Sequence, residues 1–205
     1  MADLPLDLTT ELAERLGDAF DRERKIVRAL EALGPVGDRD VVVLDGAGGK
    51  RAAELEALGA RLTHVQLDVP FRAAELPPAS ADAIVSMWRG FRGVDPAEIA
   101  EADRILRPGG RLLIVHDYGR DDVSLLRGEL PEYGAWSRRD GPFLRGGFRI
   151  RVLHCWWSWE ALEEARDFLA AAFGDAGATL AATLKRPRLS YNVAIYHRST
   201  RFPDP

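Results

Sequence analysis

Two short segments constrain this chain more than any others. Val41-Val42-Val43-Leu44 is an unbroken apolar run, and Asp45-Gly46-Ala47-Gly48-Gly49 follows it directly. A continuous β-branched run reads as a strand buried on both faces, as in a parallel sheet. The glycines let backbone N–H groups approach a ligand closely, at the carboxyl end of a strand, where open α/β sheets bind. Farther on, Arg107-Pro108-Gly109-Gly110-Arg111 leads into Leu112-Leu113-Ile114-Val115 and reads as a helix stop, a tight turn and another buried strand. Together they point to an α/β sheet with a nucleotide-type cofactor site at one end.

The remaining pattern alternates strands and helices. Leu12 and Leu16, then Ile26, Leu30 and Leu33, recur at helical spacing before Gly34-Pro35, which predicts two helices or one broken near Gly17. The spacing predicts a first strand over about 41–45 and a helix over 51–58 ended by Gly59. Further strands are expected over 62–67 and 82–87. Asp95-Pro96-Ala97-Glu98 is a helix start, with an N-cap, proline at the first helical position and Glu98 reaching back. Ile99, Ala102, Ile105 and Leu106 supply its apolar face. Residues 119–147 show no clear period and read as a lid-like insertion. Strands at about 148–155 and 190–197 flank a helix capped by Ser158, with Leu162, Ala165, Leu169 and Phe173 on one face. Such alternation predicts one α/β domain with a doubly wound, mainly parallel sheet and right-handed crossovers.

With 205 residues, the chain suffices for one well-buried domain and is short for two. Hydrophobic residues at 46% and charged residues at 29% are ordinary globular values, which removes disorder and fibrous classes. A net charge of −4 argues against general nucleic-acid binding, which depends on clustered Lys and Arg. The lone Cys155 cannot form an intrachain disulfide, and His64, His116, His154 and His197 show no metal-ligand spacing. The acidic N-terminus lacks a secretory pattern, and no apolar run approaches membrane-spanning length. The expectation is a cytoplasmic protein with no membrane partner.

Val43-Leu44-Asp45-Gly46-Ala47-Gly48-Gly49, Ala83-Ile84-Val85-Ser86 and Ile105-Leu106-Arg107-Pro108-Gly109-Gly110-Arg111-Leu112-Leu113-Ile114-Val115 resemble the class I S-adenosylmethionine-dependent methyltransferases, near the type 11 group. The resemblance covers about residues 40–118, and the Leu-Arg-Pro-Gly-Gly-Arg-Leu-Leu run is its most specific part. It implies a Rossmann-like sheet closed by an antiparallel strand pair. The implied cofactor, S-adenosylmethionine, would have its amino-acid part along Asp45, Gly46, Ala47, Gly48 and Gly49, and its ribose at Gln66 or Asp68. Because a sulfonium donor is already reactive, much of the catalysis in such proteins is placement of the methyl in line with a nucleophile in a dry site.

The sequence departs from that pattern twice. Either Lys50 stands where a glycine is usual or the loop is one residue short, and the Lys50 charge would oppose a sulfonium unless its stem points away. Gln66 stands where the ribose carboxylate is expected, with Asp68 two residues on. Only 13 residues separate Asp68 from Asp82, so the sheet is expected to lack one βα unit and its usual edge strand, which would leave the adenine pocket open.

Trp88, Arg89 and Phe91 follow a strand at its ligand-binding end, as do His116, Asp117 and Tyr118. Trp88, Arg89, His116 and Tyr118 are therefore candidate substrate contacts, with His116 a potential general base; aromatic packing for Trp88 and a structural hydrogen bond for His116 are the competing readings. No catalytic residue is assigned. Trp156, Trp157 and Trp159 read as core and subunit-contact residues, and Lys185-Arg186-Pro187-Arg188 as a solvated turn. The expected activity is methyl transfer to a small molecule under the 119–147 segment. The alternative is a non-catalytic binding or oligomerisation module that has lost its cofactor site, its bare sheet edge covered by a homodimer or a helix. An RNA methyltransferase would need a basic face that the sequence does not supply.

Overall fold

In the computed structural model the described residues are 4, 6–44, 49–66, 71, 75–88, 90–128, 130 and 133–200. The strands are β1 (Asp40–Leu44), β2 (Arg61–Val65), β3 (Ala81–Met87), β4 (Leu106–Asp117), β5 (Arg149–Ser158) and β6 (Arg188–Ser199), in the order β2-β1-β3-β4-β6-β5. The first four pair in parallel, and β6 is antiparallel to both β4 and β5. This is the mixed, mainly parallel sheet with an antiparallel final pair that the alternating pattern predicts. The edge strand is β2, and no further strand appears among the described residues between β2 and β3.

Both faces of the sheet are covered, which explains the unbroken apolar run in β1. Val41 and Val43 join Val85 and Leu113 under Leu16, Leu30, Leu55 and Phe168 on one face. Val42 and Leu44 join Ile84 and Ile114 under Phe71, Ala102, Ile105 and Phe143 on the other. The helices behind the first face are α1 (Thr10–Ala19), α2 (Lys25–Leu33), α3 (Lys50–Glu56) and α7 (Leu162–Thr183); α4 (Pro96–Ile105) and the single turn α6 (Pro142–Arg145) cover the second. The short helix α5 (Asp122–Arg127) and α6 lie within the segment 119–147. Trp136 and Phe143 from that segment stack around His116 and Tyr196, so part of it is packed into the core.

Several local expectations are corrected. Of the two readings for the N-terminal region, two separate helices is the one observed; the chain does not break at Gly17, which lies inside α1, but after Ala19, where Asp21 and Arg24 take positive φ values of 50° and 55°. Asp21 makes the break: its carboxylate accepts the N–H groups of Lys25 (3.0 Å) and Ile26 (2.9 Å) and so caps α2. Asp95 caps α4, accepting from Ala97 at 2.7 Å, but Glu98 turns away from the cap and accepts the N–H of Phe71 at 3.1 Å. Ser158 ends β5 and caps nothing; α7 begins at Ala161 without a side-chain cap. The helix after β5 is also not one rod: Gly174, at φ 54° and ψ −135°, breaks α7 into two arms. Arg166 on the first arm donates to the carbonyls of Ala181 (3.2 Å) and Leu184 (3.3 Å) on and beyond the second, so the arms fold back on each other.

Candidate functional site

The strand order reverses between β1 and β3, since the chain steps outward to β2 from β1 and to β4 from β3. The carboxyl ends at such a reversal leave a crevice, which is where open α/β sheets bind their ligands. Asp45, Gly46, Ala47, Gly48, Asp68 and Arg89 fall outside the described residues. Gly49 is described: it is buried, extended at φ −79° and ψ 154°, and stands at the N-cap of α3.

Lys50 is engaged with α1. Its ammonium donates to the carbonyl of Gly17 at 3.0 Å and lies 3.5 Å from Asp18, both at the end of α1. The next residue, Arg51, is fully buried and donates to Asp21 at 3.0 Å and to the carbonyl of Phe20 at 3.1 Å, with its guanidinium 5.3 Å from the Phe20 ring. A cation in the first turn of α3 thus ties the start of that helix to the α1–α2 break. Sequence periodicity could not reveal this, because Arg51 looks like an ordinary exposed helical arginine and its partner is a residue 30 positions earlier.

The end of β4 carries two neighbouring polar residues pointing to opposite faces. His116 is 1% exposed; its Nε2 lies 3.1 Å from the carbonyl oxygen of Gly90 and 3.2 Å from that of Phe91. Two carbonyls can only accept, so Nε2 carries the proton and the ring pins the loop after β3. Asp117, 3% exposed, accepts from the Trp88 indole at 3.0 Å and from Tyr133 at 3.4 Å, and is closely bonded to Tyr191 and paired with Arg127. Burial together with the Asp117 charge pushes the Tyr191 phenol well above its ordinary range. Trp88 is itself buried in the first core, edge-on to Phe20 at 5.8 Å. Tyr118 is half-buried, with its N–H on the carbonyl of Asn192 and Arg120 over its ring. Gln66 is exposed just past β2.

The structure therefore gathers Trp88, His116 and Tyr118 at one end of β3 and β4, but Trp88 and His116 are occupied in packing and hydrogen bonds. It also draws in two residues that were given no role from sequence. Asp117 organises the end of β4. Ser86 is fully buried beside Leu44, the last residue before the glycine-rich turn, and its Oγ has no hydrogen-bond partner among the described residues. A hydroxyl inside the otherwise apolar Ala83-Ile84-Val85-Ser86-Met87 strand was the available signal for it.

No family model matches the sequence, and no curated protein matches it. Solved structures do. One from Anaeromyxobacter dehalogenans, named as a type II methyltransferase, is 18% identical, with a TM-score of 0.53 over 88% of this chain and 97% of its own. One from Anabaena variabilis, named as a methyltransferase of an antibiotic biosynthesis pathway, is 14% identical, with a TM-score of 0.51 over 88% and 98%. A Haloferax volcanii protein solved with the Trm112 methyltransferase activator is 15% identical, with a TM-score of 0.50 over 95% and 96%. At such identities the likeness speaks for architecture, because fold alone does not carry activity. The chain has the Rossmann-like methyltransferase fold, in a form whose described residues hold six strands.

Proposed function

We propose that this protein binds S-adenosylmethionine at the carboxyl ends of β1 and β3 and transfers its methyl group to a small-molecule acceptor. The observation that carries the reading is the polar provision beside the glycine-rich turn: the orphaned Ser86 hydroxyl lies in register with Leu44, while the Lys50 ammonium is held by Gly17 and away from a sulfonium. A buried hydroxyl without a partner costs about 1–3 kcal/mol, which a ligand accepting or donating there would recover. When bound, the cofactor supplies an electrophilic methyl carbon whose bond to sulfur breaks as the acceptor's lone pair forms the new one. In this reading Asp45, Gly46, Ala47, Gly48 and Gly49 line the methionine part, and Gln66 or Asp68 holds the ribose. Arg89 and Tyr118 are left to meet the acceptor directly. Trp88 and His116 act as positioning residues, the histidine through Gly90 and Phe91.

The test is thermal denaturation with S-adenosylmethionine or its demethylated product. A ligand at 100 times its dissociation constant adds about 2.7 kcal/mol to the folded state, which for a domain of this size is a melting increase of roughly 5–11 °C. Asp45→Ala should abolish the increase. An unchanged melting curve at millimolar ligand would overturn the proposal in favour of the second reading, a non-catalytic module working through the β2 edge, which pairs with no further strand among the described residues, as a homodimer or with another protein. That reading draws on the short span from β2 to β3, in which Phe71 is fully buried against Phe91 at 5.7 Å.

A further inference from the structure

We infer that the protein has an anion site at the opposite end of the sheet, built on Arg111, Arg149 and His197 and fitted to a phosphate dianion. The strand register assembles it. His197 of β6 pairs with Leu113 of β4 on one side and with Arg149 of β5 on the other, while Arg111 pairs with Ser199. Residues two apart on a strand share a face, so Arg111, His197 and Arg149 stand on one face of three adjoining strands. They line a cavity of about 860 Å³ whose wall is completed by Ala32, Leu33 and the Gly146-Gly147 turn.

Three features separate this cluster from an ordinary solvated patch. First, its charge is unbalanced. Arg111 is bonded to the Ser199 hydroxyl, and Arg149 makes no ion pair among the described residues. Asp103, the carboxylate among the described lining residues, is taken by Arg198. Nearby at the same end of the sheet the opposite holds: Arg61 and Arg107 are matched by Asp40 and Asp82 at 2.6–2.9 Å. Second, two arginines and a histidine gather on one face of three adjoining strands in a protein whose net charge is −4, so basic groups are concentrated against the overall acidic excess of the chain. Third, the position of Arg111 is built in. A Cβ on Gly34 would lie 2.7 Å from Arg111 Cγ, so glycine there serves the arginine stem and not a turn, the backbone being extended at φ −161°.

Two guanidiniums supply a charge of +2 and paired N–H donors, which match a tetrahedral dianion better than a single carboxylate. The imidazole adds a further donor. In the protein without anion, burial and then the Arg149 and Arg111 charges hold His197 below its ordinary range. A dianion between them must reverse that effect, which gives the site its own signature.

The experiment follows the imidazole resonances of the full-length protein by NMR, with inorganic phosphate added at constant ionic strength in chloride. His197 should titrate at higher pH as phosphate saturates, by about one unit, a response absent when sulfate-free chloride alone is varied. Arg149→Ala, at an exposed position, should weaken phosphate binding about tenfold without changing the fold seen by circular dichroism. Comparison with glycerol phosphate identifies the natural source, an ester binding tighter if the ligand is a phosphorylated metabolite and free phosphate tighter if it is not. The inference is overturned if His197 responds equally to chloride, or if Arg149→Ala leaves the phosphate response intact. Either result would leave the cations as counter-charges to the carbonyl end of α2.

Discussion

His116 and Asp117 adjoin in sequence, yet the pleat sends them to different tasks. The histidine holds the loop after β3 through two carbonyls, and the carboxylate gathers Trp88, Tyr133, Tyr191 and Arg127. Removing the charge of Asp117 strands the Arg127 cation in a half-buried place. Asp117→Asn should therefore cost about 3 kcal/mol, a drop of roughly 6–12 °C in melting temperature by calorimetry. His197 carries a pH prediction. Its folded pKa is depressed, so the unfolded chain binds the proton more readily, and the folded state loses stability as pH falls through the unfolded value near 6.5 toward the lower folded one. Above that window the stability is fully present. Urea midpoints measured from pH 8 down to pH 5 should fall less steeply for His197→Gln than for the parent, and phosphate should flatten the parent's slope in the same way.

Elements are set here by a few residues that override periodicity. In α7 the apolar spacing Leu162, Ala165, Leu169 and Phe173 correctly announces a helix, and Gly174 then turns it back. The second arm fits only because Gly177 has no side chain: a Cβ there would lie 1.9 Å from the carbonyl oxygen of Leu169. Gly177→Ala should destabilise by about 1–3 kcal/mol through forced separation of the arms, seen as a lower denaturant midpoint with little change in far-ultraviolet circular dichroism. Gly174→Ala should cost a similar amount, on the order of 1–3 kcal/mol, because its backbone region is essentially reserved for glycine. The start of α3 shows the same dependence on distant contacts. The Lys50 charge stands beside a glycine-rich run in the sequence, and in space its ammonium is bonded to the carbonyl of Gly17 at the end of α1.

The whole molecule is a sheet packed on both sides, and its single thiol reports on that packing. Cys155 is 1% exposed, and burial raises its pKa far above the ordinary thiol range. It should be inert to Ellman's reagent in the native protein and react only as fast as the structure opens; rapid labelling would contradict the packing of β5 against the α1–α2 break. The described residues contain no helix long and apolar enough to cross a membrane. Much of the architecture could be read from local pattern. Apolar runs marked β1 and β4 as buried, the Asp95-Pro96 start fixed α4, and the short span from Asp68 to Asp82 fits a sheet of six strands among the described residues. These features are legible because strand burial, capping and loop length are consequences of neighbouring residues. Contacts between distant residues were not legible. The Arg51–Asp21 pair, the ring of donors on Asp117, the orphaned Ser86 hydroxyl and the Arg111–His197–Arg149 cluster exist only once strands far apart in sequence lie side by side, since hydrogen bonds and Coulomb forces act over a few ångströms of space and are blind to chain order.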